Sequence, residues 1–330
     1  MESGEDLVNL SEVKTINVLG DSISHGANAI DIPNDSWTGI LRQHLQEAFG
    51  TKNHGYESMH DVQTNVLGQY YGAHSIVRTG FTDSEADDKY GMHKTSSNVP
   101  GDQLTITTKI AAKKARIWHT GKESQVEIRK NGEVLTTLQL KAANIGLSES
   151  FPLQAIPGTT FEIIKKDHAL TEITGIEYLD DEGAFVFDNI SRTGAKLGLI
   201  SNEVLDKVAE TDLLLLALGH NDKAHTSIER FQERLTYLHE KAKENETFVV
   251  VCNFIWSDEP NEFEHSTALK AFAESCPNRI YIGFNEFWPG ADKLLAEGIL
   301  SDVSHPSVLG HRMIAEKVAE VIGLKIPSEK

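Results

Sequence analysis

Short apolar runs without alternation mark both ends of this chain: Val13 to Leu19, Ala184 to Asn189, Leu213 to Leu218, Phe248 to Phe254 and Arg279 to Gly283. Strands covered on both faces have this texture, because neither side meets water. Between them the apolar period lengthens to that of a helix. Trp37, Ile40, Leu41, Leu45, Ala48 and Phe49 share one face, as do Ile228, Phe231, Leu235 and Leu238, and then Val308, Ile314, Ala315, Val318 and Ile322. Alternating strands and helices predict a parallel sheet wound with helices on both sides, and such sheets bind ligands at the carboxyl ends of their strands.

The middle of the chain has another texture. From about Gln103 to Asp180 helical periodicity gives way to β-rich runs: Leu104 to Thr107, Ala115 to Trp118, Val126 to Arg129, Val134 to Leu138, Thr160 to Ile164 and Thr171 to Tyr178. Their spacing predicts an antiparallel β-sandwich, inserted between the first and second strands of the α/β domain. Asn131-Gly132 between two of the runs is a hairpin signal, since both residues tolerate positive φ. Tyr56 to Pro100, rich in Gly, His, Ser and Asp, reads as a long irregular connection. The expected organisation is a discontinuous α/β domain over 1–60 and 181–330, with connection and sandwich over 61–180.

Candidate chemistry sits where apolar runs end. Ile16-Asn17-Val18-Leu19 stops at Gly20-Asp21-Ser22, which presents a serine at a strand end. Leu213 to Leu218 stops at Gly219-His220-Asn221-Asp222, and Asp302-Val303-Ser304-His305-Pro306 precedes the last helical pattern. Together these segments supply a nucleophile, an amide donor, a base and a carboxylate to orient the base, which are the parts acyl transfer needs. Asp302, three residues before His305, can take the Nδ1 proton and leave Nε2 facing Ser22. Each segment alone also fits a turn or helix-capping sequence; the combination favours catalysis.

In these segments the chain resembles the SGNH (GDSL-type) serine hydrolases. Gly20-Asp21-Ser22 matches the family's first block, Gly219-His220-Asn221-Asp222 its third, and Asp302-Val303-Ser304-His305 its fifth. The second block is little more than a glycine; Gly194 in Val186 to Ala195 is the match, after a strand and before an apparent helix, although an ordinary helix-entry glycine would look the same. Ile23 stands where the family name has Leu. The resemblance covers roughly residues 10 to 55 and 184 to 323. It implies a three-layer αβα, flavodoxin-like catalytic fold, with Ser22, Asp302 and His305 as triad and the Ser22 and Gly194 N–H groups with the Asn221 amide as oxyanion hole. It implies no cofactor, and the chemistry requires no metal. The inserted sandwich resembles a carbohydrate-binding module, and a wall that merely shapes the active-site rim is the alternative.

Other residues near the strand ends carry weaker signals. Trp256 and Trp288 follow the fourth and fifth apolar runs, where aromatics either stack on a sugar ring or pack loops together. His25 and His220 read as packing or rim residues. His54, His60, His74 and His93 lack the close pairing of a zinc site and read as solvated.

Composition narrows the partners. A net charge of −18 over 330 residues argues against nucleic acid and anionic membranes, both of which need a basic surface. The two cysteines, Cys252 and Cys276, do not make a disulfide framework. No apolar run is long enough to span a bilayer and Met-Glu-Ser-Gly-Glu-Asp is not a signal sequence, which leaves the location open among the cytoplasm as the default, export by another route, and a domain excised from a secreted or phage-tail protein. The expected activity is a serine esterase that removes O-acetyl or short acyl groups from a carbohydrate or polysaccharide through an acyl-enzyme. The alternatives are a lipase, lysophospholipase or thioesterase acting on longer chains, and a glycan-binding protein with a degenerate hydrolase half.

Overall fold

In the computed structural model, which describes residues 8–59, 72–86, 88–181, 183–256, 263–288 and 290–326, four apolar runs form parallel strands. They are β1 (Thr15–Gly20), β2 (Leu213–Ala217), β3 (Phe248–Asn253) and β4 (Arg279–Gly283), side by side in that order. Ile16 pairs with Leu213 and Gly20 with Ala217, so β1 and β2 end level. Every residue of β2 is buried, as are all but the first residue of β1 and β3. The missing alternation in the sequence therefore has its expected cause: these strands have no wet face.

Helices α1 (Ser22–His25), α2 (Trp37–Phe49), α3 (Ile228–Glu244), α4 (Glu264–Glu274) and α5 (Val308–Val321) connect or follow the strands. They gather in two sets, with α2 against α5 and α3 against α4. Serines 36, 227 and 307 cap α2, α3 and α5, each accepting a backbone N–H from the first turn. Such a cap is worth about 1 kcal/mol. The α/β fold with an inserted antiparallel sandwich is the fold found. Chain contacts divide it into two units, Met1–Gly50 with Ser191–Lys330, and Thr51–Ile190.

In the second unit two antiparallel sheets share one core. One sheet has His74–Thr79, Gln103–Thr108, Thr160–Lys165, Ser124–Lys130 and Glu133–Leu140 in that order. The other is built around Ala112–Gly121 and Thr171–Leu179. Leu104, Ile106, Val126, Ile128, Phe161 and Ile163 from the first sheet meet Ile117, Phe151, Ile173, Ile176 and Tyr178 from the second. At Asn131-Gly132 φ is +54° and +80°, and Lys130 pairs with Glu133, which is the two-residue hairpin expected.

The stretch from Tyr56 to Pro100 departs from expectation. Its described residues include the strands Gly55–Ser58, His74–Thr79, Thr82–Glu85 and His93–Ser97 rather than irregular chain. Thr82–Glu85 is exposed throughout and takes its structure from pairing with His93–Ser97, so no apolar alternation announced it. Ala143–Leu147 and Phe151–Ala155 are also strands outside the expected runs, and both pair with Ala112–Gly121 through irregular register. His54, His74 and His93 are buried rather than solvated, and bond to Glu57, to Tyr178 and to Asp83 respectively. His60, Pro289 and the segment Met1 to Asp6 lie outside the described residues. Both cysteines are free, Cys252 buried and Cys276 half-buried.

Candidate active site

Gly20 ends β1 against two serines. A Cβ there would lie 2.4 Å from Ser24 Cβ and 2.8 Å from Ser191 Oγ, so only glycine fits the close approach. Asp21 follows and caps α1, its Oδ1 accepting the Ile23 N–H at 3.0 Å. Ser22 thus opens the helix, where its own N–H has no intrahelical acceptor. The residue is 5% exposed.

Asp302 and His305 sit in a tight loop between Leu300 and Pro306, which are joined by an antiparallel bridge, while the Ser301 N–H donates to the His305 carbonyl at 2.9 Å. His305 Nε2 is 2.9 Å from Ser22 Oγ, and Nδ1 is 3.0 and 2.9 Å from the two Asp302 carboxylate oxygens. Asp302 Oδ1 also accepts the Ser304 and His305 backbone N–H groups, each at 2.8 Å. Partial burial opposes a charge on Asp302. The Ser304 N–H, the His305 ring, the Asn28 amide and the His305 N–H outweigh it and hold the pKa down to about 2. An ionised carboxylate accepts a hydrogen bond from Nδ1–H, so the unprotonated Nε2 is left to meet the serine hydroxyl.

Asn28 had escaped the sequence reading. Its Nδ2 donates to Asp302 Oδ2 and to Ser301 Oγ, each at 2.8 Å. Its φ of +67° is one that asparagine tolerates better than most residues. Spacing gives no hint of a partnership spanning 274 positions. An asparagine soon after the helix that Ser22 opens was the only signal to follow.

The chain leaves β2 through Gly219, whose φ of +123° suits glycine, and reaches Asn221. Asn221 Nδ2 donates to the Ala195 carbonyl at 3.2 Å and to Asp21 Oδ2 at 3.4 Å, so the amide bridges the residue before Ser22 and the residue after Gly194. Both bonds are long. Gly194 is half-buried in a turn with φ +76°, and that turn is tied to β1 by the Arg192 N–H donating to the Gly20 carbonyl at 3.2 Å. A 3₁₀ turn, Leu197–Leu199, follows it, and the α-helix begins only at Asn202. Asp222 spans the gap: it accepts the Leu197 and Gly198 N–H groups, each at 2.9 Å, and the Thr226 hydroxyl at 2.8 Å. Its role is to clamp the turn next to Gly194.

Asp21 is fully buried, and burial pushes its carboxyl up to about 7; the Ile23 N–H pulls the other way and the nearby Asp222 adds to the rise. His311 is fully buried, its Nε2 donating to the Ala27 carbonyl at 3.0 Å, which ties α5 to the chain after α1. Burial is the first cause that lowers its pKa to about 4.

Trp256 and Trp288, candidates for sugar stacking, are corrected by their burial. They are 5% and 6% exposed, and their rings pack 5.5 Å apart between centroids, with Phe254 and Phe284 alongside. Rings buried this far in the packed aromatic cluster offer no open platform for a ligand. Trp256 instead donates from Nε1 to the Ser304 carbonyl at 3.1 Å and so braces the loop that holds His305. His25 ends α1 half-buried, and His220 is buried beside Trp256 with ring centroids 6.2 Å apart.

Neither a family model nor a curated protein matches this chain. Among solved structures, a peptidoglycan O-acetylesterase is similar over 97% of both chains, with a TM-score of 0.70 at 16% identity. That likeness establishes a shared fold. A family two carbohydrate esterase from Clostridium thermocellum overlaps 76% of this chain and 100% of its own at 10% identity, with a TM-score of 0.34. A β-1,3-glucan-binding CBM6 from Bacillus halodurans overlaps 38% of this chain and 96% of its own at 13% identity, with a TM-score of 0.29. Overlaps this loose carry no weight here.

Proposed function

We propose that this protein is an SGNH-type serine esterase that removes O-acetyl or other short acyl groups from a carbohydrate or polysaccharide. The observation that carries the reading is the continuous relay from Ser22 Oγ through His305 to Asp302, with bonds of 2.9 to 3.0 Å. The carbohydrate part draws support from the shared fold with a peptidoglycan O-acetylesterase.

Serine is a weak nucleophile until a base takes its proton. Ser22 Oγ attacks the ester carbonyl carbon while its proton passes to His305 Nε2, and the carbonyl π pair moves onto oxygen. The Ser22 and Gly194 N–H groups and the Asn221 amide meet that oxyanion; the long bonds from Asn221 are readily shared with a full negative charge. Collapse of the intermediate expels the alcohol, which takes the proton from His305. Water then repeats the sequence on the acyl-enzyme and releases the carboxylic acid. Asp302 stays ionised throughout and stabilises the imidazolium.

Acetate release from a panel of acetylated polysaccharides, run beside 4-nitrophenyl acetate, butyrate and octanoate, tests the reading. Acetate esters are expected to be the best substrates. A preference for octanoate, with no acetate released from any polysaccharide, would replace this reading with a lipase or thioesterase.

Asn221→Ala is expected to lower kcat by about 10² to 10³-fold with little change in KM, as for loss of one oxyanion donor. Asp222→Ala provides the contrast, because its three bonds hold the turn and its loss should appear first as a lower Tm. A larger fall in kcat for a folded Asp222→Ala than for Asn221→Ala would reverse the two roles.

A further inference from the structure

We propose that His220 is a specificity-determining residue, whose Nε2 accepts a hydrogen bond from a hydroxyl on the alcohol side of the ester. The proposal rests on the esterase reading above and adds a substrate feature to it.

His220 is nine-tenths buried. Its Nδ1 lies 2.9 Å from the Phe254 carbonyl, an acceptor only, so Nδ1 carries the ring proton. The other nitrogen, Nε2, then offers a lone pair. It has no hydrogen-bond partner among the described residues. Burial, with Lys223 close by, lowers the ring's pKa to about 4, so at neutral pH the lone pair is not taken up by a proton.

The position of the ring gives that lone pair its meaning. His220 directly precedes Asn221, and it packs against Trp256, which bonds the residue before His305. An uncharged acceptor held there repels carboxylate and phosphate and matches a neutral donor. Sugars carry such a donor next to an acetyl ester, whereas a nitrophenyl leaving group carries none. The ring's other nitrogen is already anchored, so the acceptor is held in place before substrate arrives.

The test compares a mono-O-acetylated methyl hexoside bearing a free hydroxyl beside the ester with its deoxy counterpart, in wild type, His220→Asn and His220→Gln. Asparagine keeps a donor toward the Phe254 carbonyl but lacks the distal acceptor; glutamine places an amide oxygen near the position of Nε2. Wild type should prefer the hydroxyl substrate in kcat/KM by about 3- to 10-fold, the effect of one neutral hydrogen bond. The preference should vanish in His220→Asn and return in part in His220→Gln. Equal preference in wild type would overturn the proposal whether or not the variants fold. An unchanged ratio in a folded His220→Asn would overturn it too, since a purely structural role lowers both substrates alike. If wild type cleaves 4-nitrophenyl acetate but neither hexoside, the carbohydrate reading itself fails and takes the proposal with it.

Discussion

Replacing Ser22 with alanine is expected to lower ester turnover by about 10⁴-fold or more while leaving the fold intact. The substitution removes one hydroxyl whose bond in this structure is to His305 Nε2. The N-cap of α1 belongs to Asp21 and the close packing at the end of β1 to Gly20, so neither depends on the Ser22 side chain. Alanine is also a good helix former. Turnover of 4-nitrophenyl acetate, with circular dichroism and Tm as controls, reads the outcome. A folded variant that kept a tenth of the wild-type rate would remove Ser22 from the mechanism.

Asp302→Asn is expected to cost about 10⁴-fold in kcat, although it changes one atom. The carboxylate accepts four N–H groups: two from the backbone, one from Asn28 and one from the His305 ring. An amide has one accepting oxygen, and its NH₂ must face a former donor. If it faces His305, the ring turns to the tautomer with its proton on Nε2, and the nitrogen beside Ser22 becomes a donor that takes no proton. If it faces Asn28, two amide donors confront each other and the loop loses a tie. Single-turnover kinetics with 4-nitrophenyl acetate should show the acylation step slowed, with KM little altered. A loss under tenfold in kcat would mean that His305 does not rely on Asp302 for its orientation.

The parts of the site that lie next to one another in the chain were legible, because Gly20-Asp21-Ser22 and Asp302 to His305 are each set by one strand end or one short loop. Bonds across the chain were not. Asn28 reaches Asp302, and Asp222 reaches Leu197 and Gly198, through tertiary placement that leaves no periodic trace. The parallel strands were visible because burial on both faces writes itself into composition. Thr82–Glu85 was invisible because an exposed strand at a sheet edge needs only backbone pairing. Aromatic position misled for a similar reason: Trp256 and Trp288 follow the right strands, but only the packed structure shows that both rings are buried against one another.

Two acids, Asp302 at the end of the relay and Asp21 beside Ser22, pull the protein's stability toward opposite ends of the pH scale. Asp302 ionises near 3.8 in an unfolded chain and at about 2 in the fold, so its contribution is complete above 3.8 and is lost as pH falls toward 2. Asp21 does the reverse: the folded chain keeps its proton up to about 7 while the unfolded chain releases it near 3.8, so native stability declines as pH rises from about 4 to 7 and levels beyond. From these two groups alone the native state is best protected near pH 4, where Asp302 is already largely charged and Asp21 is not. At neutral pH the carboxyl that caps the helix opened by Ser22 and holds the Asn221 amide is a standing thermodynamic burden, tolerated beside the proposed catalytic relay.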